Sequence, residues 1–436
     1  KVHLLNFTTQ NSIQSNVFFN SNSHLSNMVP IVMALNTIGR SELSQKLISE
    51  IPINKNWPYL KKLDSMSLSN IGRFIFCLYN NHLFSPSKIS LEKKFNLLEK
   101  ITKQIDRSKI KSHKTFPYLK GLIDKNHTEK TNNQQDYFIW DNLWALSTLK
   151  QTASIAKILN KDNITHYQNL HNNLLESINT FCSSISDKHL TKLIIPISPK
   201  IAIDPRTCNT LLSLYPLNLI DPFDQRITNT LEVIEENFMS KNIFYNSLTP
   251  IGYDITQNFR LAQVYLKRKD ERALKIIKWL INHSTPTGCW PDSIHPLSLG
   301  GSDGEGHSSN ACAEFILLIR SQLLCEENNS LHLLPMIPNE WIKSDKPEIK
   351  IENMPTHFGK ISFEVKFKAT QVTMTMESDF HTKPKHIQIS LPKIVKKAQI
   401  NNRTLQPNSN NVILPNKFSK VVFYFDHEKN ESKTSK

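Results

Sequence analysis

Apolar residues recur at three- and four-residue spacing up to about residue 330. Side chains with this spacing share one face of an α-helix, so the pattern predicts a succession of helices. The predicted helices cover residues 27–38, 41–51, 69–80, 91–105, 138–158, 163–181, 206–215, 226–239, 256–267, 270–283 and 308–324. Short links join them, and the pattern indicates no strand between them. It therefore predicts an all-α domain.

The pattern changes to a largely alternating one after residue 345. The alternating segments are 348–351, 360–367, 371–376, 387–391 and 421–425. Alternation places successive side chains on opposite faces of a strand, and turns rich in Pro and Asn separate the segments. We therefore predict an α-rich, multi-domain chain, in which an (α/α)6 toroid of six helical hairpins is followed by a small antiparallel β-sandwich. An open helical solenoid is the alternative for the helical part, although no repeat of fixed period supports it.

Four segments follow from these patterns. They are an irregular N-terminal segment at 1–26, the toroid at 27–330, the sandwich at 331–426 and a charged tail at 427–436. Three prolines (Pro335, Pro338 and Pro347) break helical continuation at the main boundary. The apolar runs all fall short of the ~18 residues that a bilayer crossing needs, so we expect no membrane insertion.

The charge of the chain raises nucleic-acid binding as a hypothesis. The 436 residues include 53 Lys and Arg against 38 Asp and Glu, a formal net charge of +15. Binding to nucleic acid through this charge predicts a steeply salt-dependent affinity for any DNA. Because the lysines are spread over nearly the whole length, we expect a diffuse surface charge and no nucleic-acid partner.

The six cysteines form no CxxC pair and thus have no spacing typical of a zinc site. We therefore expect no metal and no cofactor. Reduced thiols suit a cytoplasmic location. Composition leaves the oligomeric state open.

Glycine is rare, and four of the ten glycines lie in the segment Gly300–His307 with Asp303 and Glu305. Glycine permits backbone conformations that let a loop line a cleft closely. A dinucleotide-binding loop would follow a strand, and a calcium loop would end in an acid, so neither description fits. We predict a ligand-lining loop, with a flexible connection carrying solvated acids as the alternative.

Two further segments combine tryptophan with acids. In Cys289–Pro296, Trp290 and His295 flank Asp292, which suits a sugar ring that stacks on an aromatic face and hydrogen-bonds through its hydroxyls. The alternative is that Trp290 only fills the core. In Asp136–Ala145, helical spacing places Asp136, Trp140 and Trp144 on one face, beside Tyr137 and Asp141. This face suits a carbohydrate cleft, and the alternative is core tryptophans with Asp136 as a helix cap.

These motifs, in this order, resemble bacterial six-hairpin glycosidase-like proteins over roughly residues 27–365. The motifs that carry the resemblance are Asp136–Trp144, Trp290–Pro296, Gly300–His307 with Ala311–Glu314, Phe315–Arg320, Leu333–Trp341 and Pro355–Gly359. More distantly, the Trp-Asp at 140–141 and the Glu-Gly at 305–306 are similar to the trehalase and processing-glucosidase clans. The resemblance implies an (α/α)6 toroid with a β-sandwich and a carbohydrate-active role. In those clans, the late Glu is the general base and the Trp-Asp contacts the sugar.

The chain also departs from the family. Members usually carry Asp where Glu305 stands and Glu where Asp292 stands. They also have an early Trp-Asp-Ser-Asn-Gly signature, where this chain has Leu68–Gly72 without a carboxylate. An exchange of Asp for Glu moves the carboxyl group by about one C–C bond, which displaces a reacting water. Reduced catalysis is therefore part of the expectation.

The leading hypothesis is a glycoside hydrolase-like protein that acts on an oligosaccharide or other glycan by acid–base hydrolysis with inversion. Inversion requires two carboxyl groups about 6.5–9.5 Å apart. Glu305 is the expected base, and Asp141 is the expected acid or sugar anchor. The expected substrate-binding residues are Asp136, Tyr137, Trp140, Trp144, Trp290, Asp292, His295, Asp303 and His307. The alternative is a catalytically impaired carbohydrate-binding or scaffold protein on the same fold.

Overall fold

The structure is a computed structural model. It describes residues 25–50, 67–127, 136–189, 192–248, 250–327, 329–343, 345, 347–400 and 403–425. These residues form two compact units, which we call the helical unit (residues 25–36 and 40–318) and the β unit (residues 37–39 and 319–425). Apart from residues 25 and 26, the predicted N-terminal segment lies outside the described residues, as does the predicted charged tail.

Helices form at all eleven predicted positions, ten of them as α-helices and one as a 3₁₀ helix. They are α1 (Leu25–Thr37), α2 (Ser41–Glu50), α3 (Leu68–Phe84), α4 (Lys88–Arg107), α5 (Ile139–Ile158), α6 (Ile164–His189), a 3₁₀ helix (Pro205–Ser213), α7 (Gln225–Phe238), α8 (Ile255–Lys267), α9 (Arg272–Asn282) and α10 (Ser309–Leu323). Short 3₁₀ turns also occur at Pro117–Leu119 and Lys125–His127, and a one-turn helix, α11, at Asn339–Ile342. Within the described ranges, no helix has the length and apolarity that a bilayer crossing requires.

The segment predicted as a helix at 206–215 forms a long 3₁₀ helix instead of an α-helix. Its apolar residues explain the tighter winding, since Pro205, Cys208, Leu211 and Leu214 are buried and lie three apart. Three residues per turn bring such a series onto one face. Asp204 caps the start, accepting a hydrogen bond from the backbone N–H of Arg206 at 2.7 Å.

Within the helical unit, six of these elements form a closed sequence of contacts, in which each element contacts the next and the last contacts the first. The sequence runs from α1 through α3, α5, the 3₁₀ helix, α8 and α10 back to α1. Side-chain contacts join five neighbouring pairs, and α5 packs directly on the 3₁₀ helix. The side-chain contacts are Asn36 to Asn80 at 2.8 Å, Ser69 to Asp141, Gln257 to Asn209, Arg260 to Glu314 at 2.8 Å, and Asn310 to Asn27 at 2.8 Å.

Short strands lie in the connections of the helical unit, where the sequence pattern indicated none. They are β1 (Met239–Ser240), β2 (Ile243–Phe244), β3 (Tyr253–Asp254), β4 (Ser293–Ile294) and β5 (Gly301–Asp303). With two or three residues each, they are too short for an alternating pattern to show. The strands β3, β4 and β5 form one antiparallel sheet, in which Ser293 lies opposite both Asp254 and Asp303.

The β unit is built on nine strands. They are β6 (Leu324–Glu327), β7 (Ser330–Leu333), β8 (Glu348–Thr356), β9 (Gly359–Phe367), β10 (Gln371–Phe380), β11 (Ile387–Ile400), β12 (Arg403–Leu405), β13 (Ser409–Leu414) and β14 (Lys420–Phe425). All five predicted strands are confirmed, whereas β6, β7, β12 and β13 were missed. Alternate residues of the strands, such as Phe363, Val365 and Met374, form the core of this unit.

These strands form one continuous sheet that curls into a nearly closed barrel, rather than two facing antiparallel sheets. The first half of β11 pairs with β7 and β13, and its second half pairs with β14 and β12. Register shifts near Val395 allow this long strand to bend and serve both sides. The β7–β11 pair is parallel, which corrects the prediction of a purely antiparallel arrangement.

An ion pair is buried in the β unit. The Arg320 guanidinium contacts Glu326 at 2.6 Å, and the backbone N–H of His357 donates to the same carboxylate. Burial alone would raise the pKa of Glu326, but the Arg320 charge and His357 lower it to about 2.

Candidate active-site cavity

A cavity of about 300 Å³ lies in the helical unit. Its lining residues come from α1, α3, α5, the 3₁₀ helix with the turn after it, α8 and α10. These are the six elements joined in the closed sequence of contacts. Along the chain they alternate with α2, α4, α6, α7 and α9, so every second helical element faces the cavity.

The cavity lies near the N-terminal ends of several of these elements. Trp140 and Gln257 lie in the first turn of α5 and α8, and Arg206 lies in the first turn of the 3₁₀ helix. The backbone N–H groups at a helix start lack partners within the helix and carry a partial positive charge. Here Asp204 and Asp254 cap the 3₁₀ helix and α8, so two of these three starts already hold a carboxylate.

Two tryptophans from one helix line the cavity. Trp140 stacks on Phe138 with ring centroids 4.5 Å apart, and Trp144 packs edge-on to Phe76 at 6.0 Å. The Arg73 guanidinium lies 5.6 Å from the Trp144 ring centroid. Trp140 and Trp144 are 8% and 5% exposed. The two rings are therefore mostly core and also form part of the cavity wall.

Glu314 is the one acid among the described residues that line the cavity. Its carboxylate accepts hydrogen bonds from the Tyr215 hydroxyl at 2.8 Å and from Arg260 Nε at 2.8 Å, and the residue is 2% exposed. Burial, followed by the Glu314 charge, raises the pKa of Tyr215 well above its usual value. Glu314 and Arg260 were not among the predicted site residues, although a single acid in the apolar run of α10 is a usable signal.

The other predicted residues near the start of α5 do not line the cavity. Asp141 is fully buried and accepts a hydrogen bond from the Ser69 hydroxyl, which fixes α5 against α3. Asp136 accepts from the Ser198 hydroxyl at 2.7 Å and from its neighbour's backbone N–H at 2.9 Å. Since the N-cap position of α5 is Phe138, Asp136 does not cap this helix.

Tyr137 is also buried, with its ring edge-on to His113 at 5.6 Å. Burial, with added effects of Asp124 and Asp136, raises the pKa of its hydroxyl. Tyr137 therefore remains a hydrogen-bond donor at neutral pH, but it does not line the cavity.

The glycine-rich loop and the Trp290 segment are brought together by the β3–β4–β5 sheet. The Asp292 backbone N–H donates to the Asp303 carbonyl at 2.9 Å. Gly304 has a φ of +74°, and a Cβ there would lie 2.8 Å from the Asp292 nitrogen. Only glycine fits this close approach without strain. Glu305 is therefore the residue that directly follows this close contact between the loop and Asp292.

Asp254 joins this loop region to the cavity. It is the N-cap of α8, and its side chain accepts from the backbone N–H of Gln257 at 2.9 Å. Burial raises the pKa of Asp254 to about 6, with a further contribution from the Asp292 charge, while Arg260 lowers it. Asp254 was not among the predicted site residues, and no sequence pattern could show its proximity to Asp292.

The remaining predicted residues differ in environment. Trp290 is 2% exposed, donates its indole N–H to the Leu280 carbonyl at 2.7 Å, and packs on Phe259 and Phe315 at 5.1 Å. Trp290 is thus a core residue, as the alternative interpretation held. His295 and Asp303 are exposed, whereas Asp292, Glu305 and His307 are partly buried.

None of these six residues lines the cavity. In the part of the chain that the structure describes, no cluster of His, Cys, Asp and Glu is arranged to hold a metal ion.

Neither a family model nor a curated protein sequence matches this chain. Solved structures do match. An α-L-rhamnosidase from Dictyoglumus thermophilum has a TM-score of 0.56 at 12% identity, over 91% of this chain and 45% of that one. An α-L-rhamnosidase from Streptomyces avermitilis, complexed with L-rhamnose, has a TM-score of 0.58 at 9% identity, over 92% and 38%. A protein described only as a wild-type glycosidase has a TM-score of 0.52 at 10% identity, over 73% and 94%.

The chain therefore has a glycosidase-like fold, which combines a helical unit with a β unit. It spans less than half the length of the two rhamnosidases. Identities this low show the fold alone.

Proposed function

We propose that the protein is a glycoside hydrolase-like protein whose helical unit is an (α/α)6 toroid with a glycan-binding cavity at its centre. The observation that carries the proposal is the alternation of lining elements. Six elements, every second one along the chain, contact one another in a closed sequence and contribute to one cavity. Six inner helices facing a common centre are what the toroid requires.

The chemistry of the wall supports a sugar as the ligand. Trp140 and Trp144 offer aromatic surface for the C–H face of a sugar ring. Arg73, Gln257 and Asn209 offer donors and acceptors for hydroxyl groups. A mostly apolar wall with a few polar groups is typical of small-ligand sites.

For the reaction we propose acid–base hydrolysis with inversion, with Glu305 as the base. The fully buried Asp141 suits a positioning role, in which its bond to Ser69 fixes Trp140 and Trp144 on α5. Asp254 suits the proton donor, because a carboxyl with a pKa of about 6 keeps a substantial protonated fraction near neutral pH. Asp292, across the loop sheet, is the second candidate for a base.

The test is turnover by variants of these acids on a panel of glycans that includes rhamnose- and glucose-terminated oligosaccharides. We expect Glu305→Gln and Asp254→Asn each to lower kcat by about 10²–10⁴-fold. Glu352→Gln is the control, because this acid is exposed in the β unit and has no proposed role in the site. Unchanged turnover by Glu305→Gln on a substrate that the parent protein cleaves would remove the proposed base.

A binding protein without catalysis is the second candidate. Two observations favour it: Leu68–Gly72 carries no carboxylate, and Glu314 is already bonded to Arg260 and Tyr215. Glycan-array binding without release of reducing sugar supports this candidate, whereas released sugar contradicts it.

A further inference from the structure

Positive charge predominates among the groups that line the cavity. Arg73, Arg206 and Arg260 contribute three guanidinium groups from three different elements, against the single carboxylate of Glu314. Glu314 offsets the charge of Arg260, and Asp204, which does not line the cavity, offsets that of Arg206. The chemical class of the ligand is therefore indicated by the guanidinium N–H groups that these carboxylates leave unused.

Arg260 is only partly used by its protein partner. Its Nε donates to Glu314 at 2.8 Å, and its side chain is 32% exposed. Its two terminal Nη groups have no hydrogen-bond partner among the described residues. They remain available to a ligand in the cavity.

Arg206 is held in a comparable way. Its Nε and Nη2 donate to the Asp204 carboxylate at 2.9 and 2.5 Å, which leaves Nη1 without a partner in the described ranges. The pair fixes the guanidinium at the start of the 3₁₀ helix. A pre-positioned guanidinium loses little side-chain entropy when it binds an anion.

The chain provides a matched comparison for Arg206. Arg226 follows the helix cap Asp224 with the same spacing, and its N, Nε and Nη2 donate to that carboxylate at 2.8, 2.9 and 2.7 Å. Arg226 does not line the cavity. The local Asp-x-Arg pairing therefore has a structural role at both places, and the difference is that Arg206 also faces the cavity.

We propose that the cavity binds a glycan whose sugar carries an anionic group, a uronic-acid carboxylate or a sulfate, with Arg206 and Arg260 contacting the anion. The inference rests on the proposed glycan site. Guanidinium groups form short, charge-assisted and often bidentate hydrogen bonds to such oxyanions. Trp140 and Trp144, which line the same cavity, supply the stacking surface for the sugar ring.

The experiment compares binding of three probes by isothermal titration calorimetry at 0.15 M salt. The probes are trigalacturonate, a κ-carrageenan tetrasaccharide with sulfate but no carboxylate, and neutral galactotriose. We expect at least one anionic probe to bind about tenfold or more tightly than the neutral one, and the two anionic arms distinguish carboxylate from sulfate. Arg206→Gln and Arg260→Lys should each weaken that binding by about tenfold, whereas Arg226→Gln should leave it unchanged.

Three outcomes overturn the inference. Equal affinity for galactotriose and the anionic probes removes the charge selectivity while leaving the proposed glycan site intact. Equal weakening by Arg226→Gln assigns the effect to the diffuse net charge of the chain. If none of the three probes binds, the inference and the proposed glycan site fail together.

Discussion

Three carboxylic acids in this protein illustrate how surroundings decide the role of a residue. Asp254 is partly buried beside another acid, which raises its pKa to about 6. Glu326 is buried beside Arg320 and His357, which lower its pKa to about 2. Glu314 is buried and bonded to Arg260 and Tyr215. The same functional group therefore serves as a proton-donor candidate, an ion-pair partner or a cavity anchor.

Asp254→Asn should change the pH dependence of stability. The pKa of the carboxyl is about 6 in the folded protein against an ordinary 3.8, so the folded state holds a proton that the unfolded state has lost between these values. Stability therefore falls as the pH rises from about 4 to 6. Asn still caps α8. We expect the variant to gain on the order of 2 kcal/mol over the parent at pH 8 and little at pH 4.

Urea unfolding at the two pH values checks this prediction, with Asp303→Asn as the exposed control. An equal difference between variant and parent at both pH values would contradict it.

Glu326→Gln should destabilise the β unit in the opposite pH range. The folded pKa is about 2 against an ordinary 4.5, so this carboxylate stabilises the fold above 4.5 and the contribution is lost as the pH falls towards 2. The variant removes the carboxylate that balances the buried Arg320 charge, at a cost of about 3 kcal/mol at pH 7.

Chemical denaturation followed by far-UV circular dichroism measures this loss. The matched control is Glu352→Gln, because Glu352 forms an exposed ion pair with Lys350 in the same unit and should show no measurable change. A loss of the same size in the control, or none in Glu326→Gln, would refute the assignment.

At the scale of elements, close packing depends on small residues at particular positions. Gly72 on α3 lies against the backbone of α5, and a Cβ there would come within 2.9 Å of Trp144 Cβ and 3.0 Å of its carbonyl oxygen. The segment Leu68–Gly72, which carries no acid, therefore has a structural function. It supplies the close contact by Gly72 and the Ser69 hydroxyl that binds Asp141.

Gly72→Ala should destabilise the helical unit by about 1–3 kcal/mol, because neither helix backbone can yield easily. Helix propensity alone predicts the opposite sign, a gain of about 1 kcal/mol. Tryptophan fluorescence during urea unfolding distinguishes the two. Gly300→Ala is the control, since a Cβ at Gly300 meets nothing closer than 3.7 Å and should be tolerated. A variant more stable than the parent would show that α3 and α5 separate without penalty.

The helices and strands also show which elements can be predicted from the spacing of apolar residues. Helices with one apolar face were predicted to within a few residues in most cases, because their periodicity spans several turns. The strands β6 and β7 follow α10 almost directly, and β12 has three residues, so alternation had too little length to appear. The 3₁₀ helix was taken for an α-helix because a ten-residue window barely separates a period of 3.0 from 3.6.

At the scale of the whole chain, the residues that give the net charge of +15 are spread along the sequence. Their interpretation as a diffuse surface charge remains a prediction. The charge of the cavity wall, unlike the net charge, cannot be read from the sequence. Its three arginines are separated by at least 54 residues along the chain. Composition reports their number, but only the closed sequence of helical contacts places them in one wall.

The sequence by itself determined the helical and β parts, most element bounds and the tryptophan-bearing helix that lines the cavity. Those features depend on residues close together in the chain, whose periodicity is set by local backbone geometry. Tertiary structure decided that Trp290 is core, that Asp141 is enclosed by α3 and α5, and that Arg260 and Glu314 are paired at the cavity. Burial and charge proximity arise between distant segments, so no spacing along the chain encodes them.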